Sequence, residues 1–426
     1  MPINDMNGAD LSERPIKKHR VKFFQAYKWG RYSARLKFVN KERLLSQKDA
    51  LKDFEAFRFA LDNLYCGKPF HEKNGTDFDK IYSEIQSFID SKQEVSIEGL
   101  CTAYVKAVEG KFTDNHFRFL IPGEKKAVGP CVKRCLPYFS GITVEKRNEE
   151  FVVVSSETDK VKVNDTIADT GCMFPTLSAN GNGRFLVGVR SWIKTDSLEI
   201  ICNGEKITVP LHLCRVAKNE DKEIVFSHRK TEGFDVIRSN TFASFKDRTP
   251  TDAAKKIGAK LKNSEVIIYD MHRNNGGNST YSCNFIEAIN GFCGDPFTAY
   301  ILKTPYHFRG VRNRKWVENK GDTDLPKGDY NGKFVVITDY FCGSSAEETV
   351  NFTKSLKNAV LVGTNTFGCN CFTNLWVCVL PKTHMAMYLP NVALVDMFEE
   401  GKGFEPDFWL DSETPLDDVI NWLKKQ

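Results

Sequence analysis

From residue 225 onward the chain alternates strand-like runs with helical ones, and this limits its second half to a sheet joined by helical crossovers. The strand-like runs are FDVIRS (234–239), EVIIYD (265–270), KFVVITD (333–339) and AVLVG (359–363). Between them stand the helical PTDAAKKIGAKLK (250–262), STYSCNFIEAING (279–291) and SAEETVNFTKSLK (345–357). In such folds the loops leaving the strand ends gather the chemistry. Two of these loops have an unusual composition, MHRNNGGNS after Asp270 and YFCGSS after Asp339.

The second loop delivers Ser344 and Ser345 to the start of a helix, where unbonded backbone N–H groups can stabilise a negative oxygen. Serine is also a favoured helix cap, so the loop alone fits a plain helix start equally well. In the first loop Gly276 and Gly277 lack side chains, so their amides can approach a reacting carbonyl and their backbone can take positive φ. Two glycines after a strand also make an ordinary turn.

Upstream the texture differs. Leu51, Phe54, Phe57, Leu61 and Leu64 recur at steps of three or four, which predicts a helix over 46–66 opened by Ser46 with Asp49 and stopped by Gly67 and Pro69. Two more helices are predicted over 77–90 and 96–110, the last with Ser96 and Glu98 at its start and Gly110 at its end. Residues 130–220 turn to β-rich runs, among them EEFVVVSS, GRFLVGV, SLEIICNG and EKITVPLHL, separated by Asn, Gly or Asp turns. The expected organisation is a basic lead-in at 1–44, a helical domain at 45–125, a β-rich domain at 126–222 and an α/β domain at 223–426. The segment 307–330 reads as a long polar insertion.

Composition removes several function classes. The 60 Lys and Arg nearly cancel 55 Asp and Glu, and a net charge of +5 over 426 residues is too dilute for a nucleic-acid binder. No apolar run approaches the roughly 18 residues of a membrane span. The N-terminus lacks the apolar core of a signal peptide, and the odd count of 13 cysteines without repeated spacing suits reduced thiols, so a cytoplasmic protein is expected. Cys342, Cys369, Cys371 and Cys378 fit no zinc spacing, and His71-Glu72 lacks a second histidine, so no metal or other cofactor is expected.

Taken together and in order, four motifs resemble the S41 family of serine peptidases. They are Asp270-Met-His-Arg-Asn274-Asn-Gly276-Gly277, Ser344-Ser-Ala-Glu347, Val362-Gly363-Thr-Asn-Thr366-Phe-Gly368 and Gly403-Phe-Glu-Pro406-Asp407. Met271, His272 and Phe404 depart from the usual residues. The resemblance covers residues 225–410 and implies a ClpP/crotonase-like α/β catalytic domain, with Ser344 as nucleophile because the motif sets the serine three residues before the acid. The lysine that activates the serine in the tail-specific branch is replaced here by Cys369. The tricorn-like branch instead uses a histidine from the helical domain and a glutamate before the closing motif. By that resemblance His116, in Phe112-Thr-Asp-Asn-His116-Phe, would be the general base, and Glu400, rather than its neighbour Glu399, would orient it. Asn115 would assist, and the oxyanion hole would come from the amide of Gly276 or Gly277 together with that of Ser345. Without the resemblance, a lone histidine after a helix is an ordinary loop residue.

The run Val161-Lys-Val-Asn164-Asp165-Thr-Ile167 is similar to a segment of PDZ-like modules, with Asn164 replacing a glycine in a position that Asn can also occupy. Such a module would bind extended peptide by strand addition; a plain β scaffold is the alternative. The function implied is hydrolysis of peptide or protein substrates through an acyl-enzyme. The rival is a non-catalytic ligand- or peptide-binding protein on the same fold, as in the retinoid-binding modules that share it. A serine, a histidine and a glutamate kept together at the three positions favour the enzyme.

Overall fold

The computed structural model describes residues 9–16, 39–130, 133–178, 183–219, 222–243, 250–308, 310–321, 325–395 and 397–426. Most of the basic lead-in, 1–8 and 17–38, lies outside the described residues. The chain folds as two compact units, and neither is a contiguous stretch. The first unit comprises 1–133, 297–321 and 369–401; the second comprises 134–296, 322–368 and 402–426.

The helical stretch lies in the first unit. Its three predicted helices are Gln47–Leu64, Phe78–Asp90 and Ile97–Val108. Ser46, Asp77 and Ser96 cap them by accepting from the backbone of Asp49, Lys80 and Gly99. Gly67 and Pro69 do not simply stop the first helix. Pro69 lies in the first turn of a further short helix, Lys68–Lys73, where its missing N–H costs nothing. The apolar stripes of these helices close on Phe57, Tyr104, Phe112, Phe117 and Phe119, with Phe57 stacked on Tyr104 at 4.4 Å between ring centroids.

The unit's sheet is antiparallel, in the order Arg14–Pro15, Asn313–Asn319, Ala299–Lys303, Ala386–Leu394, Phe372–Val379, with Arg118–Leu120 also paired to Ala386–Leu394. The polar insertion 307–330 therefore carries a strand, Asn313–Asn319, which its charge concealed. Asp53 ties the helices to the segment 369–401. Its carboxyl accepts from Lys382 N at 2.6 Å, Thr383 N at 3.1 Å and Thr383 Oγ1 at 2.7 Å. Burial pushes this carboxyl up to about 6 despite those donors.

In the second unit the described strands between 136 and 213 form one antiparallel sheet around Leu136–Arg147, a strand that the sequence reading did not single out. Asn164 takes φ 75°, a left-handed conformation that Asn tolerates. The other sheet runs Ser227–Thr231, Phe234–Arg238, Val266–Asp270, Lys333–Thr338, Ala359–Gly363, Phe408–Trp409, with all but the first pairing parallel. Helices Thr251–Leu261, Thr280–Asn290 and Ser345–Phe352 are the crossovers. Their apolar faces and one face of the sheet bury Tyr269, Phe285, Phe334 and Val336. The result is the mixed α/β architecture that the alternation predicts. Among the described residues no helix is long and apolar enough to cross a membrane.

Replacing Asp53 by Ala would leave three donors, those of Thr383 buried and that of Lys382 partly so, without their acceptor, at roughly 2–4 kcal/mol. A lowered urea midpoint for Asp53→Ala is the expected outcome, and an unchanged midpoint would show that the tie contributes nothing.

Candidate active site

In the second unit the parallel strands Val266–Asp270 and Lys333–Thr338 end side by side, because Asp270 and Ile337 are register partners. Their loops are therefore neighbours. Gly343 N donates to Asn274 O at 3.0 Å, and Ser345 Oγ donates to Gly277 O at 3.0 Å. The contact is close enough to require glycine. A Cβ on Gly276 would stand 2.7 Å from both Gly343 O and Ser344 Cβ, and Gly276 already has φ 94°.

Ser344 has φ 56° and ψ −122°, a conformation that costs a non-glycine residue of order 1–3 kcal/mol and is held only where surroundings dictate it. What dictates it here is Glu347. This carboxylate is fully buried, accepts from Ser344 N at 3.1 Å through Oε2, and accepts from Thr366 Oγ1 and Gly368 N, each at 2.6 Å, through Oε1. Thr366 Oγ1 in turn accepts from Phe404 N at 2.8 Å, and Asp407 Oδ2 accepts from Leu361 N at 2.8 Å. All four sequence motifs are thereby joined in one hydrogen-bonded assembly.

The assembly also separates the two glycines. Gly276 N–H donates to Asn274 Oδ1 at 3.0 Å, so this buried amide is already engaged in the structure. Gly277 is exposed, and among the described residues no acceptor lies on its N–H. The same is true of the N–H of Ser345, the first residue of its helix.

His272, one of the departures from the family pattern, is built into the base of the loop. Arg238 Nη2 meets His272 Nε2 at 2.8 Å, and His272 Nδ1 lies 2.6 Å from Asp270 Oδ1. Arginine can only donate, so Nε2 accepts and Nδ1 carries the proton to Asp270. Burial alone would raise the Asp270 carboxyl; the hydrogen bond from His272 and the charge of Arg238 outweigh it and hold the carboxyl below its usual range. Arg238 was not visible as a partner in the sequence, since 34 residues separate it from His272.

His116, Asn115 and Glu400 belong to the first unit, and all are buried. The loop holding His116 is fixed by Asp114, whose Oδ1 accepts from His116 N at 2.7 Å and Phe117 N at 3.0 Å, while Oδ2 accepts from Tyr65 Oη at 2.9 Å. Burial pushes the Asp114 carboxyl up to about 7 in spite of these donors. Glu400 accepts from Asn115 N at 2.9 Å and from Cys371 N at 3.1 Å. It thus joins the histidine loop to the segment that carries Cys369, whereas Glu399 is only half-buried. Burial, and after it the charge of Arg118, lower the His116 pKa to about 4, against hydrogen bonds to the backbone of Cys369 and Phe372 that raise it. The imidazole is neutral at pH 7, the state a general base needs. Asp114 and Tyr65 were missed in the sequence, although Asp114 stands two residues before His116.

The cysteines near the site have local partners. Cys342 Sγ donates to Met271 O at 2.9 Å and Cys371 Sγ to Phe398 O at 3.2 Å, and both thiols are buried.

A sequence model of the family described as Peptidase family S41 matches residues 236–408. No curated protein matches the chain. Similar solved structures include mature CPAF, 13% identical, covering 89% of this chain and 97% of that one with a TM-score of 0.49. They also include the photosystem II D1 C-terminal processing protease, 15% identical, with 86% and 94% covered and a TM-score of 0.42. The tricorn protease is 14% identical, with 88% of this chain and 36% of that one covered and a TM-score of 0.36.

Glu347→Ala removes the acceptor of three donors in a buried site, at roughly 3–5 kcal/mol. The expected outcome is a markedly lower denaturation midpoint with loss of activity. Wild-type stability in this variant would contradict the assignment of Glu347 as the central tie.

Proposed function

Given that the chain belongs to peptidase family S41 through residues 236–408, we propose that this serine peptidase forms its acyl-enzyme on Ser344 with His116 as general base. The observation that carries the reading is the backbone of Ser344: a half-buried serine at positive φ, at the end of a parallel strand, at the first turn of a helix and hard against a glycine turn. A strained strand-to-helix turn is the arrangement that presents a nucleophilic oxygen at the edge of an α/β sheet.

In the proposed reaction His116 takes the Ser344 hydroxyl proton as Oγ attacks the carbonyl carbon of a peptide bond. The oxyanion that develops receives the N–H groups of Gly277 and Ser345, whose donation strengthens as charge accumulates. His116 then gives its proton to the departing amine, leaving an ester on Ser344. Water attacks that ester with the same histidine as base, and Ser344 is restored. Glu400 and Asn115 act as positioning residues. Glu400 anchors the Asn115 and Cys371 amides and so fixes the loop from which His116 projects. Substrates of the family are peptides or proteins. No step calls for a metal.

Cys369 supports this choice of base. Where the tail-specific branch has a lysine, this chain has a buried cysteine, which carries no amine to act as the base. A non-catalytic binding role would leave the strain at Ser344 without a use.

Two outcomes follow. A fluorophosphonate probe should label Ser344, with no label on Ser344→Ala and about 10²-fold slower labelling of His116→Ala, the usual contribution of a general base. Undiminished labelling of His116→Ala would identify a different base. Because the low pKa of His116 leaves the imidazole unprotonated until about pH 4, kcat/KM for a peptide substrate should hold between pH 7 and about 5 and fall below that. An acid limb centred near the ordinary histidine value of about 6.5 would contradict the assignment.

A further inference from the structure

In the first unit a cavity of about 520 Å³ is lined by the helices Gln47–Leu64, Lys68–Lys73 and Phe78–Asp90 together with Arg14 and Arg314. Its charges are unevenly matched. Arg58 and Lys68 each lie 3.6 Å from Asp62, Lys68 also pairs with Glu72, and Arg14 pairs with Asp10. Arg314 has no such partner. Its side chain belongs to a residue only 5% exposed, Nε and Nη1 make no hydrogen bond, and among the described residues no carboxylate forms an ion pair with it. The ring of Trp316 lies 5.8 Å from its Cζ, a contact that leaves the N–H donors unsatisfied.

The backbone makes this worse. Arg14 and Arg314 are register partners on adjacent antiparallel strands, so two guanidinium groups leave the ladder directly opposite one another. Like charges in that position repel, and a buried cation whose donors are unsatisfied is a costly feature for a fold to carry. Burial and the charge of Arg14 push the Arg314 pKa down, against the more distant carboxylates of Asp62 and Glu72, which raise it without forming an ion pair; a guanidinium keeps its proton in proteins, so a closer anion is the available remedy. The rest of the wall limits which anion. Asp62, Glu72, Asp77 and Asp79 line the same cavity and would repel a phosphate dianion, whereas a single carboxylate attached to a neutral or basic group meets both halves of the lining. Phe78 and Tyr82 supply an apolar side for its carbon skeleton.

We propose that this cavity binds a ligand bearing one carboxylate, of the class of a short peptide with a free C-terminus and a neutral or basic remainder, with Arg314 as the counter-charge. The site is independent of the catalytic assignment above.

The test uses the full chain carrying Ser344→Ala, which prevents turnover, and isothermal titration with acetyl-lysyl-alanine, its C-terminal amide and inorganic phosphate. The expected result is saturable 1:1 binding of the free acid, with the amide weaker by about tenfold or more and phosphate weaker than the free acid. Arg314→Gln should weaken the free acid by a similar factor. Should that variant fail to fold, hydrogen exchange of the unaltered chain gives the same answer, since the free acid should protect amides of Phe78–Asp90 and Asn313–Asn319. Absence of saturable binding, equal binding of acid and amide, tighter binding of phosphate, or protection confined to other segments would each overturn the proposal.

Discussion

The second unit depends on one buried carboxylate. Glu347 gathers the N–H of Ser344, the hydroxyl of Thr366 and the N–H of Gly368, and through Thr366 it reaches Phe404. A carboxylate in a fully buried position is tolerated only when its oxygens are satisfied, so its three donors are obliged to converge. That convergence bends the chain at Ser344 into a conformation that an isolated serine would avoid. The strain at the proposed nucleophile is therefore stored by the same interaction that holds the surrounding loops together.

This explains why so much of the second unit was legible in the sequence. A buried acid needs donors from particular places, a close approach needs glycine, and a parallel strand needs a continuous apolar run. Each requirement leaves a mark at a definite position: Glu347 after Ser344, Gly276 beside the nucleophile turn, and VIIYD and FVVIT in the sheet. The β-rich stretch was recognised from its turns, and Asn164 is at positive φ. The strand Leu136–Arg147 escaped notice because its sequence, with Pro137 and Gly141, looks like a connection, while in the fold it pairs on both sides.

What the sequence concealed are relations between distant segments. The strand Asn313–Asn319 is highly charged, and its place is set by partners at 299–303 and 14–15. Arg238 reaches His272 across parallel strands, which makes a histidine serviceable where the family pattern departs. The Gly276 amide looked available as a donor until Asn274 was seen to use it. In the first unit Asp114 grips the amides of His116 and Phe117 within its own turn, whereas Glu400 grips that of Asn115 from 285 residues away, a bond with no short-range signature. The histidine they position is desolvated and neutral, which suits it to accept a proton.

The central claim is covalent catalysis by Ser344, and the most direct measurement is to catch the ester. Rapid acid quench of the enzyme turning over an activated peptide ester, followed by peptide mass mapping, should reveal the acyl group on Ser344 at a level that forms and decays at rates consistent with turnover. Hydrolysis proceeding with no acyl adduct, or with the adduct on another residue, would contradict the account.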